Sequence, residues 1–147
     1  MKLVNTLSVV LVSLMLMTTY SVNASPCPKD KWAKMSKKSS KRMASQEKIL
    51  RKKFKKQVAE VAKLEKLSGK QSRMLAVKVL SSEAVKKANK TKSDYLMNEH
   101  LKFIMSKPSC KAIKIEDQKL ESLLNDEWQV AFSLLNSGEV VRELLSK

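Results

Sequence analysis

Chemistry in this chain would have to begin with one histidine, His100, and two cysteines, Cys27 and Cys110. His100 lies mid-helix by pattern, and its neighbours three and four positions away are Leu96, Met97, Phe103 and Ile104. None of these can ligate zinc, and the His-Glu-x-x-His spacing of a metal hydrolase does not occur. A partly buried structural histidine is expected. Glu116, Asp117 and Glu121 fall where a long helix should open, and negative charge there is favoured by the helix dipole. Asp117 and Glu121, one turn apart, would hold a cation only weakly. Serines are plentiful but carry no surrounding motif, and the two glycines, Gly69 and Gly138, are isolated. No loop can therefore cradle a phosphate. Met35, Met43, Met74, Met97 and Met105 are spaced as core filling and do not form the cluster a copper site needs. The expectation is a non-enzyme with no catalytic residue, no cofactor and no metal.

The cysteines point to a compartment. Residues 1–24 have the form of a cleaved export signal: Lys2 at the start, an apolar run from Leu7 to Met17, then Val22-Asn23-Ala24 before the cut. The run is shorter than the roughly 20 apolar residues of a bilayer crossing. Pro26 directly before Cys27 speaks against a lipoprotein site. A secreted or periplasmic location favours pairing of the two cysteines, so a Cys27–Cys110 disulfide is expected as a staple for the N-terminus. Nothing resembles a redox Cys-x-x-Cys motif. Asn89-Lys90-Thr91 matches a glycosylation acceptor, a match expected by chance.

The elements that would carry these residues follow from composition and period. The chain has 147 residues, 30 Lys+Arg, 14 Asp+Glu, two Gly and three Pro, and 43% of it is hydrophobic. That excludes a large α/β enzyme, a loop-rich or collagenous protein and a fully disordered one. Residues 25–44 read as a basic N-terminal arm with little helical pattern, and residues 45–147 as one helical domain. From Ser45 to Ser68, Met43, Leu50, Phe54, Val58, Val61 and Leu64 share one side of a helix that Gly69 should end. Met74 to Leu80 predicts a second helix and Glu83 to Ala88 a short third. Ser93 should cap a fourth, which carries His100 and ends at Pro108. A long helix from about Glu116 to Gly138 and a short one over Val140 to Leu145 complete an all-α bundle of four to six helices.

Charge is the strongest functional signal. Residues 25–92 hold 22 bases and 5 acids, whereas residues 93–147 hold 7 bases and 9 acids. Lys48, Arg51, Lys52, Lys55, Lys56, Lys63, Lys66 and Lys70 are the candidate binding residues for an anionic partner. Nucleic acid is disfavoured, because the export signal removes the chain from it and the basic stretch offers no interleaved aromatics for stacking. An acidic protein or anionic polymer of the envelope or medium asks least of the sequence. The alternative is a membrane-active, toxin-like or antimicrobial-like factor whose cationic amphipathic helix lies on anionic lipid.

Overall fold

A computed structural model describes residues 25–146; the expected export signal, residues 1–24, lies outside the described residues. Among the described residues every regular element is helical: α1 (Lys29–Leu64), α2 (Gly69–Leu80), α3 (Glu83–Tyr95), a π turn (Leu96–His100), α4 (Leu101–Met105), α5 (Cys110–Ser137) and α6 (Glu139–Leu145). The chain is a small all-α bundle closed by a Cys27–Cys110 disulfide.

Residues 25–44, expected as an arm of little pattern, are helical from Lys29 and continuous with the basic helix. Trp32, Met35, Ser39 and Met43 recur three and four apart and turn their sides inward, half-buried except for the buried Ser39. A serine in an otherwise apolar row hides that period from a hydrophobicity reading. The disulfide and the hydrogen bond from Cys27 N to Pro108 O, 3.0 Å, hold the helix start against α5.

Other boundaries also move. α1 stops at Leu64, not at Gly69; Lys66 adopts the left-handed conformation (φ 54°) that a terminating glycine would favour. Gly69 instead opens α2 behind a capping box in which Ser68 and Gln71 each satisfy the other's backbone N–H. Leu64, expected inward, is 80% exposed. Ser93 caps nothing, because α3 runs past it into the π turn. α5 begins at Cys110 behind the Ser109 cap, six residues before Glu116, and takes in Ile113 and Ile115. Of the five methionines that follow the expected export signal, three, Met74, Met97 and Met105, are exposed and do not fill the core.

α1 and α5 lie side by side and parallel. Arg42 pairs with Glu121, Gln46 donates to Asn125 and Gln57 donates to Asn136, so the partner number rises along both helices together. The core lies between them and under α2, α3 and α6. It contains Leu50, Phe54, Val58, Leu75, Val79, Leu124, Trp128 and Leu135. Phe54 and Trp128 meet edge to face with ring centroids 5.7 Å apart, a favoured geometry for two aromatic quadrupoles.

Candidate functional site

Two features stand out, one on the surface and one between helices. The surface feature is the outer side of α1. At 100° per residue, the helix positions from 34 to 63 that fall in the arc of about 100° opposite the core number eleven. Nine are lysines: Lys34, Lys37, Lys38, Lys41, Lys48, Lys52, Lys55, Lys56 and Lys63; the other two are Ser45 and Ala59. All are exposed. The stripe is about 44 Å long at 1.5 Å per residue. Among the described residues only Lys56 has an acidic partner, Glu60 at 3.7 Å.

The eight residues singled out from sequence do not all belong to this stripe. Lys48, Lys52, Lys55, Lys56 and Lys63 do. Arg51 sits on its shoulder, bonded to Glu47 through two nitrogens and with its guanidinium 6.0 Å from the centre of the Trp128 ring. Lys66 lies in the turn after α1 and Lys70 in the first turn of α2. The four lysines from Lys34 to Lys41 were hidden by the reading of 25–44 as an arm.

The stripe is costly to the helix that bears it. Seven of its lysine pairs stand at i,i+3 or i,i+4 spacing, and like charges so placed destabilise a helix by about 0.2–0.5 kcal/mol per pair. The face holds ammonium groups and no guanidinium, so it offers point charges without the planar fork that selects a carboxylate or phosphate by geometry.

The second feature centres on Glu116. It was expected as an early-turn charge on its helix, but it sits in the seventh position of α5 and is buried. The Tyr95 hydroxyl donates to it, 2.8 Å from Oε1 and 2.7 Å from Oε2. His100 Nδ1 lies 2.7 Å from Oε1, an ion pair when the imidazole is protonated. Lys119 Nζ stands 4.1 Å from the Tyr95 ring centre. His100 is thus half-buried as expected, but with a carboxylate partner that its sequence neighbours did not reveal.

The π turn makes this arrangement. Val85, Ala88, Lys92 and Tyr95 face α5 with ordinary helical spacing, and Lys92 reaches Glu127. An unbroken α-helix would next present Glu99 and Lys102. The wider turn over Leu96–His100 adds one residue to the register and presents His100, Phe103 and Ile104 instead. Such single-turn insertions are rare and recur at functional positions.

Tyr95 carries a testable consequence. Burial first, then its hydrogen bond to Glu116 and the negative charges of Glu116 and Glu99, push its hydroxyl from 10.0 up to about 12. The folded state therefore keeps this proton when the unfolded chain has lost it. The associated stability is complete below pH 10 and drains away as pH rises from 10 to 12. Tyr95→Phe should remove that part of the alkaline loss, while lysine deprotonation affects both proteins and cancels in their difference. At pH 8 the variant should be less stable by about 1–3 kcal/mol, because the buried carboxylate loses a donor. Urea midpoints for both proteins at pH 8, 10, 11 and 12 test this; parallel curves would refute it.

Comparison with protein-family models, curated proteins and solved structures gives no match. Fold and cysteines define the class as a single-disulfide, all-α bundle. Among the described residues no group of three or more His, Cys, Asp or Glu could hold a metal ion, and no helix is long and apolar enough to cross a membrane.

Proposed function

We infer that this chain is an exported, non-enzymatic binding protein that docks the lysine face of α1 on an acidic protein or anionic polymer. The observation that carries the reading is the stripe of nine outward lysines at eleven positions, eight of them without an acidic partner among the described residues. A face that repels itself gains most when a dense array of negative charge is laid along it. The disulfide fits the oxidising compartment that the export signal implies.

The membrane-active alternative draws less support. It needs the apolar side of the basic helix for lipid, and Leu50, Phe54 and Val58 are already in the bundle core. What remains for lipid is peripheral, electrostatic contact.

The test is a crosslinked pull-down from the native envelope or medium, using the oxidised protein beside a Lys52→Glu/Lys56→Glu/Lys63→Glu variant. One acidic component should be recovered in stoichiometric amount and lost with the variant. Its affinity should fall steeply between about 50 and 200 mM salt, as counterion release requires. Equal recovery by both proteins would overturn the reading, and so would leakage of anionic vesicles caused by the oxidised protein.

A further inference from the structure

We propose that the cavity between the N-terminal half of α1, the π turn and α5 is a binding site for a small organic cation, a primary amine bearing a short apolar group. The cavity measures about 110 Å³. Its polar lining includes the Glu116 and Asp117 carboxylates, the His100 imidazole and serine hydroxyls of α1. Its apolar lining includes Trp32, Met43, Phe103 and Ile113.

The argument begins with what is missing from the lining. In a chain with 30 Lys+Arg, none of these bases borders the cavity, whereas two of the 14 acids do. Lys38, Arg42 and Lys114 line a neighbouring groove, where Arg42 is drawn aside by Glu121 at 3.3 Å. Asp117 borders both spaces and makes no ion pair among the described residues. Glu116 receives two donors, Tyr95 and His100, against about four acceptor sites on an ionised carboxylate. When it is neutral and donates Nδ1–H to Glu116, the His100 imidazole keeps Nε2 as an acceptor. The polar groups therefore accept more hydrogen bonds than they donate, which suits an ammonium with three N–H groups. The indole of Trp32 and the ring of Phe103 suit its apolar part and attract a cation through their faces. The size admits a few heavy atoms; an apolar cavity of about 150 Å³ takes benzene.

The occupant differs in sign from the partner of the α1 lysine face, so this site stands or falls independently of that docking reading.

Propylamine, propan-1-ol and propionate are the probes, titrated into the oxidised chain and followed by amide NMR shifts. Propylamine should bind with a Kd of about 1 mM or tighter, shifting residues around Trp32, His100 and Glu116. Propan-1-ol should bind about tenfold more weakly and propionate should not bind. Asp117→Asn, which leaves the buried Glu116 cluster intact, should weaken propylamine by about threefold to tenfold. Equal binding of amine and alcohol, binding of propionate in the same place, shifts confined to other surfaces, or no saturation by about 10 mM would each overturn the proposal.

Discussion

Cys27→Ser/Cys110→Ser is expected to lower folding stability by about 4–5 kcal/mol. The bridge spans 83 residues of sequence, and in the chain-entropy account freeing a loop of that length enlarges the unfolded ensemble by about this amount. Domains of this size are stable by only about 5–15 kcal/mol, so the variant should sit close to its threshold. The loss also has a place. Cys27 and Pro108 join the start of α1 to the start of α5, and α1 between Lys29 and Met43 turns Trp32, Met35, Ser39 and Met43 inward and is tied to α5 by the Arg42–Glu121 pair. Hydrogen exchange in that stretch should accelerate far more than around Leu50 to Val58, which pack in the core. Urea melts of the oxidised wild type, the reduced wild type and the serine variant provide the measurement. A loss below about 1 kcal/mol in both reduced and mutated forms would mean that packing alone closes this end of the bundle.

Trp128→Ala should cost about 3–5 kcal/mol, the range for deleting a large aromatic from a packed interior. Trp128 is 8% exposed and lies edge to face with Phe54 and 6.3 Å from the Phe132 ring. Its outer side is covered by the Arg51 guanidinium. Through Phe54 it joins the centre of α5 to the centre of α1, and a cavity there cannot collapse without shifting both helices. Trp128→Phe keeps most of the volume and should cost well under half as much. The urea midpoint followed by far-UV circular dichroism should fall with little change in slope. A cost below about 1.5 kcal/mol would show that the Phe54–Trp128–Phe132 contact contributes little to holding the helices together.

The helical class, the disulfide and the central part of the lysine face were legible because each depends on local pattern or simple pairing. Leu50, Phe54 and Val58 repeat at helical spacing, and two cysteines, both after the expected export signal, have one intramolecular partner each. Legibility failed where the signal was not local. Ser39 interrupts the apolar row of α1, so Lys34 to Lys41 were not assigned to the face they extend. Tyr95 and His100 stand five apart, a spacing that no α-helix places on one side. The π turn puts them there, and nothing in the composition of Leu96–His100 announces it. Glu116 looked like a first-turn charge because Pro108 and the lysines around Ile113 obscured the true helix start at Cys110.

The parallel alignment of α1 and α5 has a consequence in time. Antiparallel neighbours joined by a short loop can close as soon as both exist. Here the contacts between Gln46 and Asn125 and between Gln57 and Asn136 each span 79 residues, and three intervening helices must form the crossover. A chain released from its N-terminus therefore delivers α1 first and its longest partner almost last. At a synthesis rate of about 5–20 residues per second, that wait lasts about 4–16 s. Throughout it Leu50, Phe54 and Val58 have no α5 to cover them, on a helix dense in lysine. That interval is where a holding chaperone or a protease would meet this protein, and late mutations in α5 would lengthen it without touching α1 at all.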